Sequence, residues 1–302
     1  MAVDTRFRAM GSDAHVVVNG DASLLAFATA RVDDLERRWS RFRVDSEISG
    51  LNAHRGEPVR VSAETFALVE RAIRAWRETR GRFDPTVLGD LIRLGYDRPF
   101  EAVAVDARDG VTTLGRDAGG VGLNPVARTV TLPVGAAFDP GGLGKGLAAD
   151  LVVDELIAAG ALGALVNLGG DLRAEGSPED GAAWIVDVER PDSTDVVCRL
   201  GLVRGGVATS STARRTWVVG GERRHHLVEP ATGRSVETTA RSITVLSRDA
   251  TSAEIATKYA LLSGAGHELE ALAEVGCEGL VQRIDGAIEA TPELVRFTEA
   301  VA

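Results

Sequence analysis

The chain has 302 residues, 44% hydrophobic and 26% charged, with a formal net charge of −10; this suits one large domain or two small ones with a sizeable core. The acidic balance and the lack of an extended basic cluster argue against nucleic acid and anionic membrane as main partners. Cys198 and Cys277 fit no metal spacing and no disulfide framework, no apolar run is long enough to span a bilayer, and the first residues show no charged-then-apolar signal pattern, so the expectation is a soluble, cytoplasmic protein without membrane insertion.

Aromatic residues make up only 5% of the chain, so the core must rest on Val, Leu, Ile and Ala. Residues 16–19 read as a short strand. A helix follows Asp21 or Ser23, with Leu25, Ala28, Val32, Leu35 and Trp39 on one face. A second helix starts after Ser62, a good N-cap. Its stripe is Phe66, Val69, Ile73 and Trp76, and Gly81 closes it. Residues 97–138, rich in Gly, Asp and Val, read as loops and short strands. A third helix carries a lysine loop at its start and ends at Gly160. Strand-like runs follow at 164–168, 184–188, 216–219, 226–228 and 243–246. A last helix over about 252–262 places Ile255, Tyr259 and Leu262 on one face. Helices and strands interleave without a βαβ rhythm, which predicts an α+β fold.

The lysine loop, Asp139-Pro140-Gly141-Gly142-Leu143-Gly144-Lys145-Gly146, is the most informative stretch. Glycines let backbone N–H groups come close to a ligand, and a helix start favours negative charge. A lysine there reads as a phosphate contact. The loop is not a Walker A motif, because Asp139 stands where that motif needs Gly and Gly146 where it needs Ser or Thr. A plain Gly-rich turn with an exposed lysine fits the loop alone equally well.

Three further segments join it in order: Arg82-Phe83-Asp84-Pro85-Thr86-Val87, Val166-Asn167-Leu168-Gly169-Gly170-Asp171-Leu172, and His225-His226-Leu227-Val228-Glu229-Pro230-Ala231-Thr232-Gly233. Minor signatures are Met10-Gly11-Ser12, Ser46-Glu47-Ile48-Ser49-Gly50-Leu51-Asn52 and Val207-Ala208-Thr209-Ser210. The set resembles the FAD:protein FMN transferases, the ApbE family, from about Met10 to Leu262. The resemblance implies a single large domain over residues 1–302 with a T-fold-like core. It implies FAD as substrate or ligand, and transfer of FMN to a Ser or Thr of an acceptor flavoprotein with release of AMP. It also implies charge neutralisation at the pyrophosphate, usually by Mg²⁺.

Residue by residue, the resemblance gives Met10 to the flavin and Phe42 to stacking on FAD. Asp84, Asp139 and Lys145 fall on FAD-binding positions, and Gly169, Gly170 and Asp171 on a turn lining the cleft. His226 falls on the essential histidine, and an imidazole with an ordinary pKa of about 6.5 suits proton transfer from the incoming hydroxyl. Core packing explains Met10 and Phe42 nearly as well, and Asp-Pro turns would explain Asp84 and Asp139.

The chain departs from the family at its metal positions. These fall on Gly142 and on Glu254, Thr257 and Lys258 of the segment Ala253-Glu254-Ile255-Ala256-Thr257-Lys258. The family pattern there is Ala-Asp-x-x-x-Thr, so Glu254 replaces Asp and Lys258 replaces Thr. A charged ammonium offers donors only and cannot ligate Mg²⁺. Glu254 and Lys258 also fit an exposed ion pair one helical turn apart. The alternative function is therefore an FAD-binding relative without transferase activity, such as a flavin carrier, sensor or assembly factor. Phosphotransfer from another nucleotide ranks below both, because the Walker pattern fails.

Overall fold

The computed structural model of the protein describes residues 1–179, 181 and 183–299; the remaining positions of the expected 1–302 span lie outside the described residues. The chain divides into two compact units. The first comprises Met1–Asp34, Lys145–Ala213 and the chain from Thr238 on; the second comprises Leu35–Gly144 and Arg214–Glu237. The α-helices among the described residues are α1 (Ser23–Trp39), α2 (Glu47–Ala53), α3 (Ala63–Glu78), α4 (Leu88–Arg93), α5 (Phe100–Val105), α6 (Gly144–Ala158), α7 (Ala250–Leu261) and α8 (Glu268–Glu274).

The first unit is built on an eight-stranded sheet. Its strands are β1 (Ala2–Ala9), β2 (Ser12–Asn19), β3 (Gly163–Leu168), β4 (Asp171–Gly176), β5 (Gly205–Ser211), β6 (Ala240–Ser247), β7 (Glu278–Arg283) and β8 (Ile288–Ala290). They lie side by side in chain order, and every neighbouring pair is antiparallel. Leu165, Leu172, Val207, Leu246 and Leu280 form one core with Trp184, Val188, Leu200 and Leu202 of a small sheet made by residues 184–189, 196–202 and 298–299. Helix α7 lies across β4, β5 and β6, and α8 packs on β7.

The second unit carries α2 to α5, a three-stranded sheet of residues 59–60, 129–131 and 122–124, and two hairpins at 216–225 and 228–235. Leu91, Leu94, Tyr96, Val103, Trp217, Val219 and Val228 form its apolar cluster. The Trp217 indole N–H donates to Leu94 O at 2.8 Å and fastens the first hairpin to the end of α4.

The α+β expectation holds, and the long helices fall where the apolar stripes place them. Ala28, Val32, Leu35 and Trp39 of α1 are buried, as are Phe66, Val69 and Ile73 of α3. Gly81 has φ of 82° and donates its N–H to Trp76 O, the left-handed stop expected of it. Two readings need correction. Residues 97–138 contain a helix, α5, short enough to escape a periodicity search. Residues 226–228 are not one strand: the hairpin strand Glu222–His225 ends before His226, and the next begins at Val228. The Ser62 hydroxyl accepts the Thr65 N–H at 3.2 Å and donates to Glu47 Oε2 at 2.7 Å, joining the start of α3 to α2. Ser62→Ala is expected to cost about 1 kcal/mol, read from urea unfolding. An unchanged unfolding midpoint would show that this cap does not stabilise the unit.

Candidate functional site

In the first unit, two tight turns sit together at one end of the sheet. Ala9 pairs with Ser12 and Leu168 with Asp171, so each hairpin closes through two residues. Met10 and Gly11 have φ of 50° and 67°, and Gly169 and Gly170 have 67° and 96°. Positive φ at both central residues is the turn that matches the twist of a hairpin. Only glycine fits at 169, because a Cβ would lie 2.6 Å from the Ser12 side chain. The Gly169 N–H donates to Asp13 O at 2.9 Å, which locks the two tips side by side. Met10 adopts the left-handed conformation with a full side chain, a strained choice of the kind that clusters at functional sites.

Next to these tips lies a buried cluster of charge. Asp171, the first residue of β4, is 1% exposed, and its Oδ2 takes a salt bridge from Lys145 at the start of α6. Glu254 on α7 is 0% exposed. Its Oε1 lies 3.1 Å from Lys258 Nζ and 3.8 Å from Lys145 Nζ, and its Oε2 accepts the Gly146 N–H at 2.8 Å. Burial works against the ionised form of Glu254, but the Lys258 and Lys145 ammoniums and the Gly146 N–H outweigh it. Together they hold the carboxyl below the usual carboxylate range. The expected exposed Glu254–Lys258 pair thus has a sealed carboxylate and a partly exposed ammonium. Both carboxylates are sealed from water while Lys145 and Lys258 keep 19% and 14% exposure, so the accessible charge of the cluster is positive. The Gly146 N–H, which the sequence offered to a ligand phosphate, is already used by Glu254.

Helices α6 and α7 meet closely here. A Cβ on Gly146 would come 2.6 Å from Ala250 O. Asp150, on the next turn of α6, accepts the Ala250 and Thr251 N–H groups at 2.8 and 2.9 Å, capping α7 from outside its own chain segment. Thr257 is fully buried. Its hydroxyl donates to Glu254 O at 2.7 Å and lies 2.7 Å from Ser210 Oγ.

The metal positions do not make a divalent site. Both Glu254 oxygens are engaged by N–H donors, the Thr257 hydroxyl is used inside the fold, and Lys258 is a donor only. Among the described residues no group of three or more His, Cys, Asp or Glu has metal-holding geometry. Gly142 belongs to the second unit, in a short turn at 140–142, where a Cβ would lie 2.7 Å from the Phe83 ring. The residues present do not fit Mg²⁺.

The second unit brings together its own matched residues. The two Asp-Pro segments are neighbours: the Asp139 N–H donates to Pro85 O at 2.8 Å, and Val87 bridges to Ala137. Asp84 Oδ1 accepts the Thr86 N–H and hydroxyl at 2.7 and 2.6 Å, and burial pushes its pKa above the ordinary value. Asp139 Oδ1 accepts the Gly141 N–H at 2.6 Å, while Oδ2 lies 2.8 Å from Arg41 Nε. The Arg41 guanidinium sits 4.1 Å from the Phe42 ring centroid and 4.6 Å from that of Tyr96. Phe42 is 37% exposed, so it is not a core residue. Asn52 clamps Phe138 through both its N–H and its C=O, at 2.8 and 2.9 Å.

His225 and His226 part company. The His225 ring is buried between two backbone groups: Nε2 is 3.2 Å from Val236 O, and Nδ1 accepts the Leu227 N–H at 3.3 Å. Burial lowers its pKa. His226 follows in the partly exposed link between the two hairpins. The sequence did not single out Arg41, Tyr96 or Asp150. Asp139 is far along the chain from Arg41, Trp217 from Tyr96 and Ala250 from Asp150, and no local spacing announces them.

The ApbE family model matches residues 10–281. Over 235 residues the chain is 30% identical to the FAD:protein FMN transferase of Vibrio cholerae, covering 74% of this chain and 68% of that protein. It is 28% identical over 257 residues to the FAD:protein FMN transferase of Haemophilus influenzae, covering 79% and 74%. The crystal structure of the ApbE protein of Thermotoga maritima superposes with a TM-score of 0.90 at 25% identity, covering 99% of this chain and 100% of that one. The apo flavinyl transferase ApbE of Pseudomonas stutzeri shares the fold, with a TM-score of 0.84 at 22% identity over 100% and 98% of the two chains.

The charge cluster predicts a pH-dependent cost for one substitution. Glu254→Gln leaves two ammoniums without their shared carboxylate, and is expected to destabilise the protein by about 3–5 kcal/mol at pH 7. The folded carboxyl titrates below its unfolded value of about 4.3, so its stabilisation is present above that pH and lost as pH falls through the folded pKa. The wild-type advantage should therefore be largest near neutrality and shrink in acid. Equal stability of the two proteins at pH 7 would contradict the cluster.

Proposed function

The chain belongs to the ApbE family, and from that membership we propose that it is an FAD:protein FMN transferase, moving FMN from FAD to a Ser or Thr hydroxyl of an acceptor flavoprotein and releasing AMP. The observation that carries this reading is the lysine loop in its folded setting. Lys145 is held by two buried carboxylates beside two locked hairpin tips, a fixed positive charge of the kind that orients a pyrophosphate. On this reading both units act as one transferase domain over residues 1–302.

The acceptor oxygen attacks the phosphorus nearest the riboflavin. A new P–O bond forms, and the bond from that phosphorus to the bridging oxygen breaks. AMP leaves with that oxygen, and the hydroxyl proton passes to His226. His225 has both ring nitrogens occupied by the backbone, so it positions the link and leaves His226 for the proton. Lys145, Gly169, Gly170 and Asp171 serve the phosphate and sugar end, with Met10 at the neighbouring tip. Asp84, Asp139 and Phe42 are the FAD contacts that the resemblance assigns within the second unit. Arg41 positions Asp139 and stiffens Phe42.

Partners on this reading are FAD and the acceptor flavoprotein, with no nucleic acid. Among the described residues no helix is long and apolar enough to cross a membrane. Two free cysteines accord with the reducing cytoplasm. Lys258 in place of threonine favours a second reading, an FAD-binding protein that no longer transfers.

Incubation with FAD and a candidate acceptor, scored by AMP release and protein-bound flavin, separates the two readings. His226→Ala is expected to lose about 10²–10⁴-fold in transfer rate with FAD affinity retained. His225→Ala should chiefly lower the melting temperature. A wild-type rate in His226→Ala would refute the assignment of the base. By calorimetry FAD should bind more tightly than FMN, since the matched residues serve both halves of the dinucleotide; equal affinities would sink that expectation.

A further inference from the structure

Two ammoniums share one buried carboxylate where the family pattern has a threonine hydroxyl and an aspartate. Lys258 Nζ is 3.1 Å and Lys145 Nζ 3.8 Å from the same oxygen, Glu254 Oε1. Glu254 Oε2 is held by the Gly146 N–H, so the carboxylate cannot turn to meet another cation without giving up a backbone partner inside the fold. Asp171 anchors Lys145 from the other side. Seating a dication among these groups would place it beside two fixed positive charges and offer it no free oxygen of Glu254 or Thr257.

We propose that the Lys145–Lys258 ammonium pair takes the place of a divalent cation in this protein and binds the dinucleotide pyrophosphate directly, so that FAD binding is independent of metal. The proposal rests on the FAD reading above.

The buried and exposed atoms divide the work. Glu254 and Asp171 lie beneath the surface and fix the lysine positions, and the partly exposed ammonium ends carry the charge outward. Two ammoniums match the charge of one Mg²⁺ but distribute it over separate N–H donors. A pyrophosphate offers several acceptor oxygens and can take hydrogen bonds from both. Asp171 Oδ1 is buried without a hydrogen-bond partner, and it remains as an acceptor for a ligand hydroxyl or N–H. The extra methylene of glutamate over aspartate lets one carboxylate reach across to both lysines. An ammonium has no vacant coordination position, so it holds and neutralises the phosphates without Lewis-acid polarisation.

The test is titration of FAD into the full-length protein by calorimetry, once with millimolar Mg²⁺ and once with excess EDTA. The two dissociation constants are expected to agree within about twofold, whereas a loss of about tenfold or more on chelation overturns the proposal. Lys258→Met should weaken FAD about 10–100-fold, the worth of a hydrogen bond to a charged group, and Lys258→Arg should retain most of the affinity. Unchanged affinity in Lys258→Met would show that the ammonium does not reach the phosphates, and would also overturn it. If Lys258→Met fails to fold, Lys258→Arg and the chelation arm still decide. A second readout needs no flavin: the free Mn²⁺ resonance should persist when wild-type protein is added, and stoichiometric uptake of Mn²⁺ would count against the proposal. Absence of FAD binding in every buffer would remove the transferase reading itself. FAD binding that collapses only with EDTA would remove the ammonium pair alone.

Discussion

Glu254 carries a negative charge with no exposure to water, and the surrounding structure is arranged to make that tolerable. An ionised carboxylate in the interior loses its hydration and survives only with charged partners and donated hydrogen bonds. Here it has two ammoniums and one backbone N–H. That N–H comes from Gly146, which has no side chain because α6 meets the start of α7 backbone to backbone. The same contact lets Asp150 cap α7 from α6. A longer side chain at 146 would part the helices and strip Glu254 of one partner. The orientation of Lys145 and Lys258 therefore depends on packing as much as on charge.

Each unit fixes its loops by a buried polar pair, not by length of secondary structure. In the first, Lys145 and Asp171 tie the helix start to the strand that leaves the Gly169–Gly170 turn. In the second, Arg41 and Asp139 tie the segment after α1 to the Asp139–Pro140 turn, and Asn52 holds the adjoining Phe138 backbone. These pairs cost desolvation, and their net contribution to stability is modest. Their value is geometric. A loop held at two buried points presents its side chains in one orientation, which pre-organises a site before ligand arrives. The strained Met10 fits the same pattern, since its φ of 50° persists only because both neighbouring strands constrain it.

Legibility in the sequence followed the range of the interaction. The stripes of α1 and α3 repeat within one helix, and Ser62 and Gly81 mark ends with local chemistry, so these were readable. Strand β1 was not, because it is an edge strand with Arg6, Arg8 and Asp4 among its residues and no continuous apolar face. Strand β5, Gly205–Ser211, is small and polar, and it owes its conformation to β4 and β6 on either side. The motifs flagged these loops, yet the partners that orient them come from 9 to 108 residues away, as with His225 and Thr216 at one hairpin or Gly146 and Glu254 across the unit. The Glu254–Lys258 spacing was correct as a helix pair and misleading about environment. Ala253, Ala256 and Ala260 let α7 lie close to the sheet, and Glu254 was buried with it.

A tethered charge and a bound ion solve the phosphate problem differently. Metal occupancy varies with metal concentration, and the coordinated ion polarises the phosphoryl oxygen it touches. The lysines here are always present, and their positions are set by a carboxylate that the fold cannot easily release. They gain constancy and lose Lewis acidity. The barrier must then fall through orientation of the acceptor hydroxyl, the field of fixed donors and removal of the proton. On the proposed reading, that places more of the chemistry on His226 and on the loops beside it than a metal-centred site would require. The second hairpin is built for such a load: the Ser235 hydroxyl bridges the His225 carbonyl at 2.7 Å and N–H at 3.0 Å, so the residue before His226 is gripped through both backbone groups and its ring. On the proposed reading, a base that follows a residue gripped in this way can serve a phosphoryl transfer with little rearrangement at the moment of reaction.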